Sequence, residues 1–335
     1  MRALRSHSPG GPETLVLDDV DDPVAGAGQL LVRVRACAIN YPDVLIIEDK
    51  YQFKPERPFA PGGEVAGVVE ALGEGVSGWA IGDRLIAYHG HGGLADRVAV
   101  PITQAYKIPA RAAGEFPDAE VASLLITYAT VIHALKDRAQ AKAGESMLLL
   151  GAAGGIGLSA IELGKALGLR VVAAVSSEAK AAATREAGAD ATLVYPSGEI
   201  DKEASKALAG AFKAAAGPNG FDIVFDPVGG AYAEPALRSL GWQGRYLVVG
   251  FPAGIPSIPL NLTLLKSCDI RGVFWGAFAL RDPAANAAHV DELFRLWGEG
   301  KIGPRVSQTF PLERAGEAIA ALRDRKAVGK LVITL

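Results

Sequence analysis

Ser146-Met147-Leu148-Leu149-Leu150 runs unbroken into Gly151-Ala152-Ala153-Gly154-Gly155-Ile156-Gly157, and then into Leu158, Ile161, Leu163 and Leu167 at helical spacing. A buried-type strand, a glycine turn and an apolar-faced helix follow in the order that opens a dinucleotide-binding βαβ unit. Gly151 permits the tight turn. Gly154 and Gly155 let the backbone approach a pyrophosphate, and Gly157 allows helix and strand to pack closely. The helix N-terminus adds unpaired N–H groups and the positive end of its dipole. The spacing reads G-x-x-G-x-x-G rather than G-x-G-x-x-G. The backbone through Gly151, Ala153, Gly154, Gly155, Ile156 and Gly157 is expected to hold the phosphates of a dinucleotide; a purely structural strand-to-helix turn is the alternative.

Outward from this turn, the apolar runs Met147–Leu150, Arg170–Val175, Ala191–Val194, Phe221–Phe225, Arg245–Val249 and Ile270–Phe274 alternate with alanine-rich helical stretches. That alternation predicts a doubly wound parallel sheet with right-handed crossovers. Toward the N-terminus, as far as about Ala113, the texture is short alternating strands broken by Gly and Pro. Leu30–Ala38, Val65–Leu72, Arg84–Ala87 and Leu94–Val100 read as strands of a β-rich, barrel-like domain. A helical stretch from about Ala119 to Arg138 joins the two textures. Helical regions at His289–Gly298 and Leu312–Arg325 precede a terminal strand, Lys330–Thr334.

A chain of 335 residues, half of them apolar and about a fifth charged, has the composition of a two-domain globular protein. A formal charge of −3 provides no basic field for nucleic acid or acidic membrane, so small molecules are the expected partners. Cys37 and Cys268 are the only cysteines, too few for a disulfide framework or a cysteine-rich metal site. With no apolar signal core after Met1 and no apolar run of membrane-spanning length, a cytoplasmic location away from membranes is expected.

The end of the second strand decides the type of nucleotide. An acidic residue there usually reads the ribose 2′-hydroxyl. This strand instead ends Val175-Ser176-Ser177, with Lys180 shortly after. A 2′-phosphate would meet no carboxylate at that position, and Ser176 and Lys180 could hold it by charge-assisted hydrogen bonds. The expected cofactor is NADPH, with Glu178 as a nearby opposing charge. Ser176 or Ser177 can equally cap the helix that starts at Glu178, and the two roles can coexist.

Pro61-Gly62-Gly63-Glu64-Val65-Ala66-Gly67, Gly73-Glu74-Gly75-Val76 and Gly82-Asp83-Arg84-Leu85 resemble the signature of the medium-chain dehydrogenase/reductase superfamily. Asn40-Tyr41-Pro42-Asp43, Thr127-Tyr128-Ala129, Gly151–Gly157, Asp226-Pro227-Val228-Gly229-Gly230 and Gly250–Gly254 look like its quinone oxidoreductase, or ζ-crystallin, branch. The resemblance implies an α/β protein in which a Rossmann domain, residues 125–276, is inserted into a GroES-like catalytic domain, residues 1–124 and 277–335. The active site would lie in the cleft between the domains. Thr127, the Gly250-Phe251 turn and Phe274 would border the nicotinamide, and Tyr195 and Arg325 match positions that help hold the 2′-phosphate. A surface tyrosine and a solvated helix-end arginine are the alternatives for these last two.

Zinc members of the superfamily carry Cys where this chain has Asn40 and His where it has Gly63. Their third ligand falls in the segment occupied here by Leu124–Thr127, and the four-cysteine lobe is missing, so no metal is expected. His89 and His91 form an H-x-H on a glycine-rich loop, read as solvated. A site without those ligands lacks a strong Lewis acid for alcohol oxidation. Quinones and α,β-unsaturated carbonyl compounds accept hydride readily and suit it better. Asn40 and Tyr51 lie where family members line the substrate cleft, and either could hydrogen-bond a carbonyl or enolate oxygen. A turn-stabilising role for Asn40 and a packing role for Tyr51 remain open, and Asp43 reads as a structural hydrogen-bond partner.

The function expected is NADPH-dependent reduction of quinones or activated alkenes. An enoyl-thioester reductase and a non-catalytic NADPH-binding, ζ-crystallin-like protein are the rivals. The strand Ile270–Trp275 would leave an apolar edge at the end of the sheet. The resemblance implies a homodimer in which that edge pairs with its copy, and Val273 is expected to be a ladder donor.

Overall fold

Six short strands form one parallel sheet in the computed structural model, which describes residues 1–110, 114–196, 198 and 200–335. In spatial order they are Ala191–Val194, Arg170–Val175, Ser146–Leu149, Phe221–Asp226, Leu240–Val248 and Asp269–Gly272. Numbered along the chain this is 3-2-1-4-5-6, the Rossmann order, whose ligand crevice lies beyond the carboxyl ends of the two central strands. The strands are apolar because helices cover the sheet. Leu148, Val172, Ala174 and Val224 pack with Phe212, Ala236 and Leu237 in one buried cluster.

The compact unit holding this sheet spans Thr127–Gly303. Residues 277–303, expected with the other domain, therefore pack here. Trp275 Nε1 donates to Asn286 Oδ1 at 2.7 Å, the ring of Phe278 stacks on His133 at 4.1 Å, and Lys136 pairs with Glu292 at 2.6 Å. The first contact ties the helices Trp275–Arg281 and Pro283–Gly298 to each other, and the other two bind them to the segment that opens the unit. One carboxylate oxygen joins the unit's two ends: Glu162 Oε2 accepts from Tyr128 Oη at 2.7 Å and from the Gly303 amide at 2.9 Å.

The other unit is Met1–Ile126 with Pro304–Leu335. Its principal sheet has seven strands, with Gln29–Ile39 at the centre, flanked by Glu64–Leu72, Arg97–Pro101 and Lys330–Thr334. Leu30, Val32, Val34, Cys37 and Ile39 are buried against Val65, Leu85 and Ile333. The register sets Glu64 opposite Ala38 and Leu331 opposite Ile39. Asn40, Glu64 and Lys330 are thereby brought together from three distant stretches of chain.

Two expectations change in detail. The strand expected from Leu94 begins at Arg97, because the Leu94 amide and carbonyl bond to Pro61 and Leu4 instead. The boundary expected near Ala113 lies outside the described residues. The helical segment Asp118–Arg138, with mean hydropathy 1.2 over its best window, is by length and composition able to cross a membrane, contrary to the sequence reading. Of that window 78% is buried inside the protein, as in a core helix.

Candidate active site and nucleotide site

The glycine turn occupies the carboxyl end of the Ser146–Leu149 strand and leads into the helix Gly155–Ala166. Gly151 has a φ of +59°, and a Cβ there would meet Val228 Cγ2 at 2.7 Å, so only glycine fits without strain. At Gly157 a Cβ would lie 2.4 Å from the Ala152 carbonyl oxygen, so the first turn of the helix packs against the glycine turn more closely than a side chain would allow. Gly154 differs. Its backbone is extended, and the nearest atom to an added Cβ is Gly151 O at 3.6 Å. Gly154, Gly155 and Ile156 remain partly open, while Ala153 is buried beneath them. The first-turn amides at this helix end have no intrahelical acceptor, the arrangement that generally suits a helix N-terminus to anions.

The next strand, Arg170–Val175, ends beside Ser176 and Ser177. Ser177 caps the helix Glu178–Glu186, its side chain accepting from the Lys180 amide. The Lys180 ammonium turns back to donate to Ser176 Oγ at 3.2 Å. Capping and cation placement therefore coexist on adjacent serines. Glu178 is exposed and pairs with Arg185 at 3.4 Å, which partly offsets its charge. Tyr195 is a buried ring 5.0 Å from Tyr232, not a surface residue. Arg325 belongs to the other unit, exposed after the helix Ala315–Arg323 with φ +58°.

Two further turns frame the glycine turn within the same unit. Buried Asp226 accepts from the amides of Val228 and Gly229, both at 2.8 Å, and from Tyr246 Oη at 2.5 Å. Burial pushes its pKa up. That fixes the 227–230 loop, which then bonds to the 250–254 turn through Gly230 N to Gly254 O at 2.7 Å and Ala253 N to Val228 O at 2.9 Å. Gly250 and half-exposed Phe251 are held at this rim. Phe274 is 60% exposed. Thr127 is buried in a wide helical turn, Leu125–Ala129. The sheet's last strand stops at Gly272, and Trp275 starts a helix, so the expected strand Ile270–Trp275 is shorter. The Val273 amide bonds inward to Val248 O at 2.9 Å, and Arg138 Nε takes the Gly272 carbonyl at 3.0 Å. Val273 is thus no free ladder donor.

In the β-rich unit Asn40 is 5% exposed, Glu64 0% and Lys330 5%. Asn40 Oδ1 accepts from Lys330 Nζ at 2.5 Å, and Asn40 Nδ2 donates to Glu64 Oε2 at 2.9 Å and to Ala38 O at 3.2 Å. Both amide protons are engaged, so Asn40 is corrected from a donor for substrate oxygen to a member of a buried cluster. Lys330 Nζ also lies 3.4 Å from Glu64 Oε2, and Glu64 Oε1 accepts from the Ile126 amide at 3.0 Å. Asp43 accepts from the amides of Asn40 at 2.7 Å and Gly62 at 2.9 Å. Burial raises its pKa to about 6 despite those bonds. Glu64 and Lys330 are functional candidates that motif spacing did not reveal.

Tyr51 is half-buried and hydrogen-bonded to Tyr88, and burial raises the pKa of both phenols. His91 stacks on Phe53 at 5.7 Å and meets the edge of Phe59 at 5.8 Å. Both ring nitrogens of His89 are buried without a hydrogen-bond partner among the described residues, and burial lowers its pKa to about 3. The two histidines are therefore packed and neutral, not solvated.

Residues 26–110 match the family model of an alcohol dehydrogenase GroES-like domain, and residues 155–290 match that of a zinc-binding dehydrogenase. The quinone oxidoreductase-like protein 2 homolog of Nematostella vectensis is 34% identical over 99% of this chain and 88% of its own length. A mycobacterial protein solved in complex with NADPH shares 29% identity at a TM-score of 0.91, covering 100% of each chain. Escherichia coli quinone oxidoreductase complexed with NADPH shares 26% at 0.89, again over 100% of each. Zinc does not fit the residues present. An amide stands at 40, no side chain at 63, and an ammonium lies on the amide oxygen where a second cation would be repelled. Among the described residues no three His, Cys, Asp or Glu side chains are grouped to hold a metal.

Proposed function

This chain belongs to the quinone oxidoreductase branch of the medium-chain dehydrogenase/reductase family, and on that premise we propose that it uses NADPH to reduce quinones or α,β-unsaturated carbonyl compounds. The observation that carries the substrate class is the donor set around Asn40: an ammonium, an amide and a carboxylate that hold one another and leave no ligands for a Lewis-acid metal. A substrate for such a site must already be a good hydride acceptor. NADPH fits the open cradle at Gly154 and the Lys180–Ser176 pair, and when bound it supplies the hydride. Ser176 and Lys180 are the residues proposed to select the 2′-phosphate, with Tyr195 and Arg325 as further candidates. Gly250, Phe251, Phe274 and Thr127 are proposed to border the nicotinamide. Tyr51 keeps its proton at neutral pH and is proposed to hydrogen-bond the substrate's carbonyl oxygen, with Tyr88 fixing its orientation.

The deciding experiment is turnover of NADPH against a panel containing a benzoquinone, an enone and an enoyl-CoA, with a secondary alcohol and NADP⁺ as the reverse test. Reduction of the first two supports the reading. Preference for the thioester moves the chain to the enoyl reductases. Tight NADPH binding without turnover would make it a binding protein, and alcohol oxidation requiring added zinc would overturn the argument.

The proposed assembly is a homodimer. Asp269–Gly272 is the last strand of its sheet, and Ile255, Leu260, Leu264 and Leu265, close by in sequence, are all at least 68% exposed. An edge strand flanked by such side chains is suited to a second copy of itself.

A further inference from the structure

The reading above uses the buried ammonium of Lys330 only as a cation that leaves no place for a metal, and gives it no part in the reaction. Desolvating a charge is costly, and a buried ion pair adds little net stability over an apolar replacement. Lys330 is nevertheless placed by the register of the terminal strand onto Asn40 Oδ1 and Glu64 Oε2 together. The chain of contacts continues. Glu64 Oε1 holds the amide of Ile126, the residue that precedes Thr127, and Asn40 is the residue before the helix Tyr41–Ile47. We propose that Lys330 is a positioning residue, the resident cation that sets Asn40 and Glu64 and, through Glu64, the backbone entering Thr127. Without the ammonium, Asn40 loses the donor on its oxygen and Glu64 is left as a buried charge with amide partners only. Both would then reorient.

This inference rests on the proposed reductase activity for its kinetic arm alone. The test is Lys330→Ala, assayed with 1,4-benzoquinone and NADPH and, separately, by thermal denaturation, with added ethylammonium chloride or with tetramethylammonium chloride at equal ionic strength. Displacing a reacting group by about an ångström typically lowers rates ~10–100-fold. The expected result is a kcat loss in that range, with KM for NADPH within about twofold of wild type. Ethylammonium should restore kcat and Tm saturably, and the bulkier ion should restore neither. Unchanged kcat in Lys330→Ala, or no response of Tm to ethylammonium, overturns the proposal. If Lys330→Ala does not fold, Lys330→Met combined with Glu64→Gln removes both charges. Recovery of Tm with kcat still low supports positioning, whereas recovery of both shows that the lysine served stability alone. If the wild type reduces no quinone, the functional reading fails, while the thermal response still decides the cation's place.

Discussion

The glycine turn gives a prediction in which two neighbouring glycines, changed identically, fail in opposite ways. In Gly157→Ala the new methyl meets backbone, 2.4 Å from Ala152 O and 2.5 Å from its carbonyl carbon, and backbone cannot rotate away. Overpacking of this kind costs roughly 1–3 kcal/mol, a sizeable part of a total stability of about 5–15 kcal/mol. In Gly154→Ala the methyl meets nothing closer than 3.6 Å among the described residues, and the backbone angles of −74° and 169° suit alanine. The folding cost is then the loss of glycine at a helix N-cap, roughly 0.5 kcal/mol. On the proposed reading, that methyl instead occupies the opening through which a phosphate oxygen would reach the first-turn amides. One lost charge-assisted hydrogen bond is worth about 1.5–3 kcal/mol, or roughly 10–150-fold in Kd. Calorimetric titration with NADPH and thermal denaturation of both variants separate the two effects. Gly154→Ala should keep its Tm and lose affinity, and Gly157→Ala should lose Tm. Wild-type NADPH affinity in Gly154→Ala would refute the placement of the phosphates, whatever the other variant does.

Lys180→Ala should weaken NADPH about tenfold or more and leave NADH nearly unaffected; equal weakening of both in fluorescence titrations would make the lysine structural. Asp43 has its native pKa raised to about 6 from the usual 3.8, so its contribution to stability is fully present below 3.8 and is lost as pH rises through 6. Relative to Asp43→Asn, the wild type should therefore lose up to roughly 3 kcal/mol between pH 4 and 7, and denaturant curves for the two proteins that run parallel across that range would rule this out. Sedimentation at ~10–50 μM should show a dimer, since a Kd near 1 μM already gives mostly dimer there. Leu264 is 81% exposed, so Leu264→Asp should yield a folded monomer; a variant that stays dimeric would move the interface elsewhere.

What the sequence made legible was local. The strand, glycine turn and helix around Gly151 are contiguous, and hydrophobic period plus glycine placement specify them directly. The serine cap and the lysine beside it were readable for the same reason. Lys330 was not, because its partner Asn40 is 290 positions away and only the register of the terminal strand joins them. His89 and His91 looked solvated on a glycine-rich loop, whereas aromatic packing by Phe53 and Phe59 depends on chain folded from elsewhere. Ile270–Phe274 illustrates another limit. A short apolar run does not say where strand gives way to helix, and here the change falls between Gly272 and Trp275. Asn40 was identified as important by its position, but its chemistry was misassigned, since no motif reports that both protons of an amide are already bound.

The meeting of Tyr128 and Gly303 on Glu162 bears on how such a chain can be assembled in evolution. A domain whose entrance and exit are pinned to one oxygen atom takes up, from the standpoint of its host, no more distance than a tight loop. The host need not close a long flexible excursion, and the guest need not have its host folded first. Chains built this way can be cut and rejoined at two neighbouring points. The nucleotide-binding unit can then be transplanted as a closed cassette, its own ends already tied.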